Sequence, residues 1–535
     1  MSIRRLLLAL TVCTALAVTG CDTDFAGDLA ENQPPTTQLS VRDTSLVDNL
    51  PETERLTSTV AVSWTGDDPD GFIQAFELRF YDDSAAPIDD VWTSTTRNDT
   101  LILLPIPRGE RVANVVVEVR AVDNEGLRDP TPARTVFPIQ NTPPTLRLNQ
   151  FELPPDTTFS IFSFEWNAED PEGDENLAAI EVSLNDSTSF VRLPPDIDFA
   201  TFVSNDDESA ETDVTVFSGR GFLNTGVQVP GLRLDAENTL YVRAVDQTDT
   251  TSTFEQYSWF VKRQTSDVLF VNDFRKITAP TIQSFHLGLL RDYLPAGTPI
   301  DLLDVTQPFS TGNTGDLVRS DALPRAVDPV MRQTFARYRY IYWISSNTTN
   351  SIADNNLPFV APVLDLFFEN GGKMMVHSVA RRPSNEDENL GNPAILLLPI
   401  SDLVIFPDTV FNFFRLPRSR TLEPQDPLPG VGEALPSLQP TRLISDVLPF
   451  FTEGESNVPL YQTQFNAILR EGNRQVPWDG ISTIASISND RRVALWGFPL
   501  VSETTGDLLY TGVDGDPDAS REAVRMILRS LGFPE

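Results

Sequence analysis

The chain repeats itself, and the repeat limits its fold more than any other feature. Asn32-Gln33-Pro34-Pro35-Thr36 opens one segment, and Asn141-Thr142-Pro143-Pro144-Thr145 opens the next, 109 residues later. The first segment then carries Val60-Ala61-Val62-Ser63-Trp64 followed by Asp67-Asp68-Pro69-Asp70-Gly71. The second carries Phe162-Ser163-Phe164-Glu165-Trp166 followed by Glu169-Asp170-Pro171-Glu172-Gly173. Each later reaches Arg-Ala-Val-Asp, at Arg120 to Asp123 and at Arg243 to Asp246. Landmarks in one order, twice, mean one supersecondary plan used twice.

The plan is β. In Val115 to Asp123 the residues Val115, Val117, Val119 and Ala121 share one face, while Glu118 and Arg120 share the other. This is the period of a half-buried antiparallel strand. Thr239 to Val245 repeats the pattern. Short strands, Pro/Gly turns and an early tryptophan predict β-sandwiches. The two segments resemble fibronectin type III and related bacterial immunoglobulin-like modules over about residues 34–139 and 143–262, which sets the expected domains at 39–140 and 141–264. The second copy is longer through the acidic stretch Asp196 to Gly221, read as an extended loop or an extra hairpin.

Beyond Lys262 the rhythm changes. Asp267 to Val271, Ile300 to Leu303, Tyr340 to Ile344 and Lys373 to Val376 read as apolar strands. Thr281 to Tyr293, Val330 to Tyr338, Phe359 to Glu369 and Ala519 to Leu531 read as helices. Alternation of this kind predicts an α/β domain over 265–535, with a mostly parallel, flavodoxin-like sheet covered on both faces. Asn272-Asp273 after the opening strand, Gly371-Gly372 before a strand ending His377-Ser378, and Gly497-Phe498-Pro499-Leu500 before the last helix carry a further resemblance. Together they resemble the class I glutamine amidotransferase-like fold, including its trehalose-utilisation-type branch. The fold class expected for the whole is therefore multidomain, two all-β sandwiches followed by one α/β domain.

The N-terminus reads as an address. Arg4 and Arg5 precede an uncharged, largely apolar run from Leu6 to Val18, too short to span the ~30 Å hydrocarbon core of a bilayer comfortably. The run ends in Val18-Thr19-Gly20-Cys21, which resembles the lipobox of bacterial lipoproteins. That resemblance implies a signal peptide over 1–20 and a diacylglyceryl group on the Cys21 thiol. The stretch 21–38, acidic and polar, is expected to be a flexible tether. Localisation follows as the bacterial cell envelope, lipid-anchored, with inner and outer membrane both open.

Composition excludes some partners. The formal net charge is −36, and removal of Arg4 and Arg5 takes it to −38. Such a polyanion is repelled by nucleic acid and by anionic headgroups, so no nucleic-acid partner is expected. Of 40 basic residues only three are lysines, Lys262, Lys276 and Lys373. A salt-loving source and an arginine-favouring genome both give that bias. Of the two cysteines, Cys13 lies in the expected signal peptide, which leaves Cys21 alone and allows no internal disulfide.

Catalysis finds little support in the residues. Active amidotransferases use a cysteine nucleophile, and this domain has none. Ser378 stands where that nucleophile would lie but lacks the glycines of Gly-x-Ser-x-Gly. His377, its neighbour, points to the opposite face of a strand. His286, the other histidine, reads as a helix-surface or packing residue. If a pocket exists, the carboxyl ends of the strands form it, with Asp273, Ser345, His377 and Ser378 on the rim. The expectation is a non-enzymatic binding or structural protein of the envelope, with an envelope protein or glycan as partner. The alternative is a carbohydrate-active hydrolase or related enzyme. No cofactor is expected, with one exception to test. Asp67, Asp68, Asp70 and Asp123 offer hard oxygen ligands to calcium if their loops meet at one end of the sandwich, with Asn124 beside them. A plain Asp-Pro-Asp-Gly turn uses the same residues.

Overall fold

The computed structural model describes residues 31–41, 55–84, 91–106, 110–274, 278–306, 320–345, 356–379, 396–404, 407–425, 427–452, 456–480 and 482–535. The expected signal peptide, Cys21 and most of the tether lie outside them. The chain forms two compact units, Met1–Thr142 and Pro143–Glu535.

The first unit is a β-sandwich. Thr36–Val41, Thr59–Asp67 and Asp99–Leu103 form one antiparallel sheet, with Thr59–Asp67 in the middle. Leu56–Thr57, Ala133–Gln140, Val112–Asp123, Ile73–Asp82 and Thr93–Thr95 form the other, in that order. Val62 and Trp64 from one sheet pack with Val115, Val117, Val119 and Phe137 from the other. The first strand starts at Thr36, so the last residues expected as tether belong to the sandwich.

The outward face of Val112–Asp123 is not the open face that alternation predicts. Glu118 is only 8% exposed. It accepts hydrogen bonds from Arg79 Nε (2.7 Å) and the Tyr81 hydroxyl (2.8 Å). The Trp92 ring lies between the guanidinium groups of Arg79 and Arg120, at 4.3 and 4.0 Å. Long charged side chains lie flat on the sheet and shield it, with an aromatic ring stacked between them.

The second sandwich opens the second unit. One of its sheets runs Thr157–Thr158, Glu255–Val261, Ala236–Asp246, Leu177–Leu184, Val191–Leu193. The facing sheet runs Leu223–Arg233, Glu211–Ser218, Phe199–Ser204, Ile161–Glu169, Thr145–Leu148. The acidic stretch is thus an extra hairpin, Phe199–Ser204 with Glu211–Ser218, built into a sheet. The early tryptophans serve alike in both copies. Trp64 Nε1 donates to Arg97 O (3.0 Å), and Trp166 Nε1 to Ile197 O (2.7 Å). A buried indole needs that acceptor.

The rest of the unit is built on a ten-stranded mixed sheet. Five strands are parallel: β1 (Val268–Asp273), β2 (Asp301–Asp304), β3 (Tyr340–Ser345), β4 (Lys373–His377) and β5 (Val493–Trp496). They lie in the order β2-β1-β3-β4-β5. Successive side chains of a strand face opposite ways. Phe270 and Tyr342 accordingly face helices α1 (Ala279–Tyr293) and α3 (Ala519–Leu531). Leu269, Val271, Ile341 and Trp343 face α2 (Val327–Ala336). Burial on both faces explains why these strands are continuous apolar runs.

Two expectations need correction. The sheet is not mostly parallel: Thr483–Ser488 pairs antiparallel with β5, and further antiparallel strands follow it. These strands, and a separate four-stranded sheet around Val410–Leu416, fall between His377 and Arg492. Each is only two to seven residues long, too short for a clear alternation. The single helix expected over Phe359 to Glu369 is instead two short ones, Leu357–Val360 and Asp365–Glu369, around a 3-10 turn at Ala361–Val363. Pro362 lacks the N–H that a continuous helix would use there.

Candidate functional site at the carboxyl ends of the parallel strands

β1 ends at Asp273, which is fully buried. Its Oδ2 accepts the Asn356 backbone N–H (2.6 Å) and its Oδ1 the Asn356 side-chain amide (2.7 Å). Asn356, fully buried too, also donates to Val305 O and accepts from the Ser320 backbone N–H. Asp273 follows Leu269 and Val271 onto the α2 face. It is a strut that holds the entry to Leu357–Val360 against the sheet.

β4 ends at His377, which follows Met375 onto the α1 face. There it meets His286, which the sequence offered as a helix-surface or packing residue. His286 lies on the buried stripe of α1 with Ile282, Leu289 and Leu290, and is 4% exposed. That stripe has helical spacing (i, i+4, i+7, i+8) and is the signal that could have placed His286 against the sheet. The Tyr342 hydroxyl stands between the imidazoles, 2.9 Å from His286 Nδ1 and 2.7 Å from His377 Nε2. The imidazole centroids are 4.5 Å apart. Burial pushes His286 down to about 3 and His377 well below its usual value, the latter also through the charge His286 would carry. Burial likewise holds the Tyr342 phenol far above its ordinary range. In each case burial favours the neutral form over the charged one.

The expected rim is therefore divided. Asp273 is on one face of the sheet and His377 on the other. Ser345 (2% exposed) ends β3 and lines a cavity of about 20 Å³ with His286 and His377. Ser378 is buried, and its backbone N–H donates to Trp496 O (3.2 Å), extending the ladder between β4 and β5. Larger recesses lie elsewhere. One of about 980 Å³ is bordered by Asp365 and Asp490. Another, of about 550 Å³, lies where the second sandwich meets α2, around Phe159 and Lys262.

The carboxylates of the first sandwich do share one end. Asp123 Oδ2 accepts the Asn32 amide (2.7 Å), and its Oδ1 accepts the N–H groups of Glu125 and Leu127. Burial alone would raise Asp123, but these bonds outweigh it and hold the carboxyl low. Asp70 Oδ2 accepts the Gln33 N–H (3.0 Å). Asn124 Oδ1 accepts the N–H of Phe72 (2.9 Å). Asp68 is raised, first by desolvation and then by its acidic neighbours, and its Oδ2 is buried without a hydrogen-bond donor among the described residues. Asp67 sits exposed at the end of its strand. The described residues contain no group of three His, Cys, Asp or Glu that could hold a metal ion. The landmarks Asn-Gln-Pro-Pro, Asp-Asp-Pro-Asp-Gly and Arg-Ala-Val-Asp thus work as one device, with Asp70 and Asp123 capping amides of the incoming chain.

No protein-family model and no curated protein matches the chain. Among solved structures it is similar to the fibronectin(III)-like modules of Clostridium thermocellum CbhA, at 15% identity and a TM-score of 0.16, over 42% of this chain and 94% of that one. It is also similar to the FN1–FN3 domains of chicken CNTN1 (12%, TM-score 0.18, 43% and 66%). A two-domain fibronectin type III segment of chicken tenascin gives 11%, 0.20, 43% and 99%. Likeness at this level carries no argument about activity, and the β-sandwich architecture rests on the paired sheets themselves.

Proposed function

We propose that the chain is a lipid-anchored protein of the cell envelope with a binding or bracing role. In this reading Cys21 carries the anchor, and two fibronectin type III-like modules follow it along the chain before the α/β part. The anchor is supported by the ordered series Arg4-Arg5, apolar run and Val18-Thr19-Gly20-Cys21. Among the described residues no helix is long and apolar enough to cross a membrane. For the α/β part, the strand order β2-β1-β3-β4-β5 supports the flavodoxin-like arrangement and the amidotransferase-like resemblance.

The observation that carries the non-catalytic reading is the division at the strand ends. Asp273 and His377 lie on opposite faces, and each is committed to a buried internal partner. The hydrolase alternative needs two carboxyl groups of unlike pKa across a recess. Asp365 and Asp490 border the recess of about 980 Å³, but both are held low. Arg332 binds Asp365 through two hydrogen bonds. Burial would raise Asp490, yet hydrogen bonds from Ser488 and Arg492 outweigh it.

Two assays test the proposal. Labelled fatty acid should enter the wild-type chain in a lipidating bacterial host and not Cys21→Ser; equal labelling would refute the anchor. The purified chain should turn over no member of a glycoside and glycan panel. Turnover that vanishes in His377→Ala or Asp365→Asn would replace binding with hydrolysis.

A further inference from the structure

His286 and His377 are the only histidines in the chain, and they share one phenol. Tyr342 Oη has one proton to give. Among the described residues it bonds to no other group. If the proton goes to His286 Nδ1, that ring must carry its hydrogen on Nε2. His377 must then donate from Nε2 to Oη, so both rings are Nε2–H tautomers. If the proton goes to His377 Nε2, that ring carries hydrogen on Nδ1. His286 then donates from Nδ1, and both rings are Nδ1–H tautomers. The mixed arrangements fail. With both rings donating, the phenol O–H has no acceptor; with both accepting, one bare nitrogen faces an oxygen that has no hydrogen left for it.

A second observation lies at the other edge of His377. Its Nδ1 is buried without a hydrogen-bond partner among the described residues, and His377 lines the cavity of about 20 Å³. His377 Nδ1 is a donor in one tautomer state and an acceptor in the other. Its partner must therefore serve as either. Water does, and a polar cavity holds one water from roughly 10–15 Å³ upward.

We propose that Tyr342 holds His286 and His377 in the same tautomer, and that the cavity beside His377 is a site for a single water molecule bonded to His377 Nδ1, which completes a relay through Tyr342 to His286. Burial of the neutral rings supports it, since neither needs a counter-ion. Glu503 is the one acidic residue among the described residues that line the cavity.

Histidine-selective ¹⁵N labelling of the chain tests the tautomer rule directly, because only two imidazoles can appear. The expected long-range ¹H–¹⁵N spectrum shows the protonated nitrogen at the same ring position in both, unchanged from pH 5 to pH 8. Opposite tautomers, or either ring titrating near its ordinary value, would overturn the relay. Tyr342→Phe keeps the ring and removes the hydroxyl, so at least one histidine should change or mix tautomers; two unchanged histidines would also overturn it. A high-resolution crystal structure should place one water within hydrogen-bond distance of His377 Nδ1. A metal ion identified there by anomalous scattering, or no density, would refute the water site.

Discussion

Arg337, just past the end of α2, bonds to Asp207 on the turn of the extra hairpin in the second sandwich, at 2.5 Å. The same guanidinium donates to Ser160 Oγ (2.9 Å) and Ser204 O (3.1 Å). Nearby, Phe159 meets Tyr338 edge to face, and Lys262 donates to Leu302 O. The acidic insertion therefore helps to clamp the second sandwich to the part built on the ten-stranded sheet. Arg337→Ala leaves Asp207 without its cation at a seam that is only partly exposed. The expected loss is about 1–3 kcal/mol, between the values for surface and buried pairs. Urea unfolding of the full chain measures it, and Arg337→Lys should recover only part because it cannot make the same fork of bonds.

Asp170 gives the second sandwich a pH dependence. Burial first, then hydrogen bonding and charge from Glu172 and charge from Asp246, push it up to about 7. The folded chain thus holds a proton that the unfolded chain releases near the ordinary carboxylate value. Stability from this group is present at low pH and lost as pH rises from about 4 to about 7. Asp170→Asn should flatten that decline and raise the unfolding midpoint relative to wild type at pH 8, with little difference at pH 4. Parallel curves for the two proteins would contradict this.

The Asp-Pro-Asp-Gly loop of the first sandwich should behave as a turn with its own internal donors. Asp123→Ala should lower the melting temperature because the Glu125 and Leu127 N–H groups and the Asn32 amide lose their acceptor. Millimolar calcium should leave the wild-type transition where it is. A calcium-dependent rise that Asp123→Ala abolishes would instead support the metal reading of Asp68, Asp70 and Asp123.

Gly372 precedes β4, where a Cβ would lie 2.4 Å from the Phe367 ring. Phe367 is fully buried and cannot swing aside. Gly372→Ala should therefore cost about 1–3 kcal/mol, the usual range for overpacking a core. Thermal unfolding checks it, and Gly371→Ala offers a contrast. No atom crowds that position, so its cost comes from the backbone at φ +84° alone.

Local pattern alone was enough to read the duplicated sandwiches, the continuous apolar strands β1, β3 and β4, and the helix Ala519–Leu531. Each has a period that a single stretch of chain displays. The landmark Arg-Ala-Val-Asp was legible too, but its role was not. Asp123 and Asp246 both cap a following turn through Oδ1, and that depends on where the next residues go. The short strands between His377 and Arg492 gave no signal, since pairing with distant partners, not alternation, makes them strands.

The sequence by itself determined the supply of chemistry: two histidines, one cysteine after the expected signal peptide, a large excess of acid, and a lipobox-like start. Those are properties of composition and of contiguous residues. Only the tertiary structure decided how the supply is used. Asp273 and His377 each end a strand of one sheet, yet strand parity sends them to opposite faces. His286 and His377, on a helix and a strand with no shared motif, come to one phenol because α1 packs its buried stripe on the face that carries Tyr342. Faces and register are set by which surfaces the core buries together, and no single stretch of chain contains that information.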